Sequence, residues 1–284
     1  MKKQLFKKSN TLVKIYSKNF FFTSLFIKQT YSTDLKLIYL ICRTLDEIAD
    51  NNNLADNNNS LTRLKLILKQ LKNKYNKKLD KLSLYINILK NNTSINITVF
   101  IELIQCLIKD INYPANLTNE QELIYYCYGV AGTIGILILP IINSSINNTL
   151  NAIHLGMFMQ LINIARDVLE DAFKGRRYLP GCWVNNISAK EIIYLSNSPI
   201  NKKHKLINNA IIKLLNLSHY FYNKGIKNMY KLNYTNRRFI KILSSIYYKI
   251  NINIRTSNNP WIYKRIYISL YYKIFITLKN ILIC

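Results

Sequence analysis

Only 7 Gly and 5 Pro occur in 284 residues. So few chain breakers leave too little turn chemistry for a β-sandwich or a Rossmann-type alternation, and they favour long helices. The 5 Cys are an odd number without a CxxC pair. That excludes a disulfide framework or a cysteine-based zinc site, and it predicts buried thiols in a reducing compartment. His154, His204 and His219 stand apart, without metal-ligand spacing. Acid is scarce as well, with 14 Asp and Glu against 40 Lys and Arg, a formal charge of +26. Such a charge invites a nucleic-acid reading. The Lys residues are spread along the chain, however, and no Arg-rich arm, zinc-finger spacing or base-stacking motif is present. The excess of Lys, Asn, Ile and Tyr is what an A/T-rich coding sequence gives, and no nucleic-acid partner is expected.

Long uncharged apolar runs are also few. The longest, Leu123 to Ile142, reaches the ~20 residues that span a bilayer. Its three Tyr, its internal Gly and the Asn-rich sequence after it mark a core helix instead. The opening MKKQLFKKSN is basic and is followed by Lys14, Lys18 and Lys28, so no secretory signal is expected and residues 1–10 read as a flexible basic tail. The expected location is cytoplasmic, with peripheral contact to anionic lipid through Lys-rich surfaces.

No repeat or domain boundary is visible, and residues 1–284 read as one domain. Asn-rich stretches at Asn51–Ser60, Asn143–Asn148 and Ser257–Asn259 predict loops. Apolar periodicity between them predicts helices at 34–50, 60–75, 95–109, 118–140, 149–173, 202–231, 235–252 and 264–281.

Six of the 14 acids fall in two short windows, Asp46, Glu47 and Asp50 in LDEIAD and Asp167, Glu170 and Asp171 in RDVLED. Asp46 and Asp50 are four residues apart, as are Asp167 and Asp171, so each pair shares a helix face. Asn163 extends the second line of oxygens by one turn. Like charges at this spacing repel, and two such pairs call for a cation. Mg²⁺ suits them, because it takes oxygen ligands and is usually shared with substrate phosphates. Salt bridges to the many Lys are the competing account. Arg43, Arg166, Arg176 and Arg177 flank the acids and offer forked donors for diphosphate.

An apolar tunnel is the other half of the expectation. Gly129, Gly132 and Gly135 recur at three-residue spacing in YYCYGVAGTIGILILP, with Gly156 farther on. Gly costs a helix about 1 kcal/mol relative to Ala, so these positions call for close helix packing or room for a ligand. Phe20, Phe21, Phe22 and Phe26 form an aromatic cluster.

These residues resemble the squalene/phytoene synthase family along most of the chain. Ser17-Lys18-Asn19-Phe20 is similar to the family's opening motif, and Cys42 to Asp50, CRTLDEIAD, to its first aspartate-rich motif. YCYGVAGTIG from Tyr126 to Gly135 is similar to its glycine helix. QLINIARDVLED from Gln160 to Asp171, followed by GRRYLP from Gly175 to Pro180, is similar to its second motif. KRIYIS from Lys264 to Ser269 is similar to its C-terminal stretch.

The resemblance implies an all-α isoprenoid synthase bundle around a central cavity, with Mg²⁺ (or Mn²⁺) and without nicotinamide. It implies that Asp46, Asp50, Asn163, Asp167 and Asp171 hold the metal, and that Arg43, Arg166 and Arg265 hold diphosphate. Ser17, Phe20, Tyr39, Tyr126, Gln160 and Tyr247 would line the diphosphate and prenyl pockets. Tyr126 and Arg43 are grouped with the four Asp as catalytic. Tyr248 competes with Tyr247 for its role. The implied reaction condenses two geranylgeranyl diphosphates through prephytoene diphosphate to phytoene, with a prenyl diphosphate as substrate partner. The alternatives are a dehydrosqualene or presqualene diphosphate synthase using farnesyl diphosphate, and a non-catalytic member.

Overall fold

The computed structural model describes residues 18–50, 54–72, 79–113, 115–142, 144, 146–262 and 265–282. The basic tail at 1–10 and Ser17 lie outside the described residues. Those described form an all-α structure, with no strand and one isolated bridge, between Asn116 and Arg177.

The helices are α1 Lys18–Ser24, α2 Gln29–Asp50, α3 Leu54–Leu71, α4 Lys81–Asn92, α5 Ile97–Asn112 and α6 Glu120–Cys127. A π-helical turn, Tyr128–Gly132, joins α6 to α7 Thr133–Ile138. Then follow α8 Thr149–Arg166, α9 Val168–Phe173, α10 Gly181–Val184, α11 Ala189–Ser196, α12 Lys202–Ile226, α13 Tyr234–Thr256 and α14 Leu270–Leu282.

Several differences from the expected helices have local causes. The backbone is already helical from Leu54, inside the expected 51–60 loop. Asn favours turns only where its side chain captures backbone N–H groups. It does so here at helix starts: Asn96, Asn119, Asn201 and Asn233 each accept from a backbone N–H as N-caps. His204, which carries no metal-ligand spacing, completes the cap of α12. Its Nδ1 accepts from the Asn201 N–H at 3.2 Å, and its Nε2 lies 2.9 Å from the Leu195 carbonyl. The expected 149–173 helix is interrupted at Asp167, where φ is −108° and ψ is 18°. The Asp171 N–H still donates to the Asp167 carbonyl at 2.8 Å, so the helical screw runs on through the break.

Two apolar clusters form the interior. One surrounds α8, α12 and α13, and includes Phe158, Leu161, Leu214 and Ile246. The other surrounds α2, α3, α4 and α5, and includes Leu45, Ile67, Ile86 and Phe100. Met159, Ile240 and Tyr247 pack against both clusters and line the cavity where they meet.

The glycines serve close packing. A Cβ at Gly135 would overlap the Ala152 carbonyl, and one at Gly156 the Ala131 carbonyl. Backbone thus meets backbone where α8 crosses the π turn and α7. Gly156→Ala is therefore expected to cost about 1–3 kcal/mol, read as a lower urea midpoint at unchanged slope. An unchanged midpoint would show that this crossing relaxes freely.

The cysteines differ in part from the expected buried thiols. Among the described residues Cys42 and Cys127 are buried, Cys106 is half-buried and Cys182 is exposed, and these four are free, while Cys284 lies outside the described residues.

Candidate active site

α2 ends with its acids at the cavity mouth, and the break between α8 and α9 brings the second acid group to the same mouth. Asp46, Asp50, Asp167 and Asp171 all line one cavity of about 1450 Å³. Arg43, Tyr126, Phe20, Tyr39, Gln160, Asn163, Arg166, Tyr247 and Arg265 line it too.

Two cations from the segment that follows the second acid group hold Asp50 of the first. Lys174 Nζ bonds Asp50 at 3.0 Å, and Arg176 also pairs with Asp50. Arg176 reaches the Ala49 carbonyl at 3.3 Å and lies 3.9 Å from Asp110. Burial alone would raise the Asp50 carboxyl, but Arg176 and Lys174 outweigh it and hold that group below its ordinary range. The salt-bridge account therefore applies to Asp50. It applies to Asp167 also, which takes a forked pair from Arg166 at 2.8 and 2.6 Å and a bond from Arg265 at 2.9 Å.

Asp46 and Asp171 differ. No ion pair or side-chain hydrogen bond joins either to another described residue. Burial, then the neighbouring Asp50 charge, pushes Asp46 up to about 7. Burial, then the Asp167 charge, pushes Asp171 up to about 8. Two recessed carboxylates with raised affinity for a proton also gain from a metal ion. Among the described residues no three His, Cys, Asp or Glu side chains converge on one point. Mg²⁺ does not require this, since it uses one or two carboxylates, waters and substrate phosphates. The donor set fits that ion.

The remaining residues are placed as follows. Arg43 pairs with Glu47 at 3.2 Å and keeps a face on the cavity. Phe20 stacks on Tyr39 at 5.3 Å and meets Phe239 edge-on at 6.3 Å. Tyr126 stacks on Tyr178 at 4.6 Å, and both hydroxyls are driven well above their ordinary range by burial. Asn163 lies 3.5 Å from Gln160 and shares a hydrogen bond with Tyr247. Tyr247 faces the cavity, whereas Tyr248 turns away to pack on Tyr222 at 4.9 Å.

Arg177 is a correction. It points away from the cavity and bonds the Leu117 carbonyl at 3.0 Å, the Leu179 carbonyl at 2.5 Å and the Asn116 side chain. Its fork ties down the 115–117 segment and does not face the diphosphate position.

Residues 13–272 match the family model described as squalene/phytoene synthase. The chain belongs to the squalene/phytoene synthase family. It is 30% identical over 175 residues to phytoene synthase 2, chloroplastic, of Solanum lycopersicum, covering 58% of this chain and 55% of that protein. It is 29% identical over 143 residues to 15-cis-phytoene synthase of Enterobacter agglomerans, covering 50% and 47%. The chain thus spans about half the length of these curated relatives. Its fold is that of a dehydrosqualene synthase crystallised with a ligand, with a TM-score of 0.80 at 20% identity over 99% of this chain and 97% of that one.

Within this family member, two further cavity residues are Asp110 and Lys174. Asp110 is buried, accepts from the Tyr178 hydroxyl at 3.2 Å and lies near Arg176. A signal for it exists in the sequence: Leu103, Leu107 and Asp110 share one face of α5, an acid in register with an apolar stripe. Lys174 carries no such signal among so many lysines.

Proposed function

We propose that this chain is a Mg²⁺-dependent prenyl transferase that condenses two geranylgeranyl diphosphates through prephytoene diphosphate to phytoene. The supporting observation is the meeting of two acid groups on one largely apolar cavity, with Lys174 and Arg176 paired there to Asp50. At about 1450 Å³ the cavity exceeds the roughly 300–1,000 Å³ of a pocket for a drug-sized ligand, which suits long prenyl chains. Likeness to two phytoene synthases supports this choice of donor.

Asp46 and Asp171 would hold the metal, with Asp50, Asp167 and Asn163 completing the set. Mn²⁺ would serve in place of Mg²⁺, and nicotinamide is not used. Bound Mg²⁺ supplies Lewis-acid stabilisation of the leaving diphosphate. Arg43, Arg166, Arg265, Lys174 and Arg176 surround the mouth and would donate to the diphosphate oxygens as negative charge develops there. Each of the two condensation steps expels one diphosphate and loses one proton. Phe20, Tyr39, Tyr126 and Tyr247 line the cavity, and their rings would stabilise an allylic cation formed there. The largely apolar lining would limit capture of the cation by water.

The test is incubation of purified protein with geranylgeranyl diphosphate, with and without Mg²⁺, followed by chromatography of the hydrocarbons. Mg²⁺-dependent phytoene is expected. Product from farnesyl diphosphate alone would move the chain to presqualene and dehydrosqualene chemistry. No product from either donor would overturn the catalytic reading in favour of a non-catalytic member.

A further inference from the structure

α14 is amphipathic in the inverted sense. Its inward positions carry Lys273, Thr277 and Asn280, each under 10% exposed, together with Ile276. Its outward positions carry Tyr271, Ile274, Phe275 and Leu278, at 86, 43, 58 and 55% exposed. The outward spacing of three, one and three residues is a single helical stripe. Two of the three inward polar side chains have hydrogen-bond partners. Thr277 donates to the Lys273 carbonyl at 2.9 Å, and Asn280 donates to the Ile276 carbonyl at 2.7 Å. Asn280 also reaches the Ser245 hydroxyl of α13 at 3.4 Å, while the apolar side of the helix stays exposed.

Two further observations identify the cover. The apolar stripe continues into the cavity rim, because Leu25, Tyr267 and Leu270 line the cavity and are each at least 60% exposed. The charge on the C-terminal third of the chain is of one sign. No Asp or Glu occurs after Glu191, while 16 Lys and Arg do. α1, α13 and α14 together hold eight Lys and Arg and no acid. Among these, Lys249 lies 4.8 Å over the Tyr272 ring, and Lys279 is exposed on α14. An exposed aromatic and aliphatic stripe on a helix that bears only cationic charge matches an anionic bilayer surface. A partner protein of ordinary mixed charge offers no such match.

We infer that α14 is a bilayer-docking helix, whose outward stripe enters the interface of an anionic membrane and sets one rim of the cavity against the lipid. The inference rests on the proposed function only for its use, the direct passage of a hydrocarbon product from cavity to bilayer. Docking itself needs no turnover, so its failure and the failure of the catalytic reading are separable.

The experiment is flotation of the purified full chain with vesicles of phosphatidylcholine alone, or with about a third phosphatidylglycerol. A triple variant, Ile274→Glu, Phe275→Glu and Leu278→Glu, is compared after circular dichroism establishes its helix content. Tyr194→Glu, at an exposed aromatic on α11, is the control. Partition of the parent onto anionic vesicles is expected to exceed that onto neutral ones by about tenfold or more, and to weaken with salt. The triple variant is expected to lose about tenfold or more of that partition, and Tyr194→Glu to retain it. A Phe275→Trp reporter should shift to the blue and be quenched by lipids labelled near the headgroup. Equal partition of parent and triple variant would overturn the inference. So would a parent that ignores vesicles but forms a dimer dissociated by the triple variant, since the stripe would then be a self-interface.

Discussion

Asp171→Asn is expected to lower turnover by at least about 100-fold while making the metal-free protein more stable. The two effects come from one cause. Asp171 is recessed and has no ion-pair partner among the described residues, and burial with the Asp167 charge lifts its carboxyl to about 8. Ionising it costs free energy that a bound cation would offset. The amide keeps the shape, removes the charge and removes the metal donor. The sign of the pH dependence follows by linkage. An acid whose folded-state value lies above its unfolded value binds more protons when folded, so stability is greatest below the unfolded value and falls as pH rises through the folded one. For Asp171 that window runs from about pH 4 to about pH 8, and Asp46, lifted to about 7, adds to it. The metal-free parent should therefore lose melting temperature between pH 6 and pH 8.5, and the variant should lose less. At pH 8 the gain is on the order of 1 kcal/mol after solvent screening. Asp50 works in the opposite sense, because its ion pairs hold it below the ordinary range and their stabilisation disappears on acidification. Melting curves of both proteins across this range, with and without Mg²⁺, give the check. A variant that keeps its turnover, or melts lower at pH 8, would show that Asp171 makes a structural contact and does not hold the cation.

Arg176→Met is expected to cost about 3–5 kcal/mol and to abolish turnover. Arg176 is buried and joins three parts of the chain: the end of α2 at Ala49 and Asp50, the end of α5 at Asp110, and the segment after α9. Its charge is held in place despite burial, because Tyr178, Asp110 and Asp50 all favour it. Met keeps most of the volume but strands Asp110 and part of Asp50 without a counter-charge. Breaking one side of a buried pair is costly for that reason, more than the net contribution of the pair suggests. Urea unfolding measures the loss. Adding Asp110→Asn to Arg176→Met should recover part of it, because the stranded charge is gone. A cost of about 1 kcal/mol or less, or a double variant no better than the single, would show that solvent already screens this cluster.

Much of the site was legible because helix geometry is local. Residues four apart share a face whatever the rest of the chain does, so Asp46 with Asp50 and Asp167 with Asp171 were readable as pairs. The second pair survives the break at Asp167 because the Asp171 N–H still reaches the Asp167 carbonyl. Less was legible where two neighbours compete. Arg176 and Arg177 look alike as donors in GRRYLP, yet one pairs with Asp50 on the cavity and the other anchors carbonyls. Tyr247 and Tyr248 differ only in which side of α13 they occupy. The glycine spacing allowed either close packing or ligand space, and overlap with the Ala131 and Ala152 carbonyls decides for packing.

The amino-acid order by itself determined that the chain is helical, that its scarce acids form two faces, and that long apolar stripes lie between them. Those properties follow from composition and from contacts within one or two helical turns. Only the tertiary structure decided which of these carboxylates are ion-paired and which have no ion pair among the described residues. Lys174 lies 124 residues from Asp50, and Arg176 lies 126 from it. Such partners meet only after two apolar clusters close around the cavity. The same closure turned the apolar stripe of α14 outward, because the stripe's spacing sets its width but not the direction it faces.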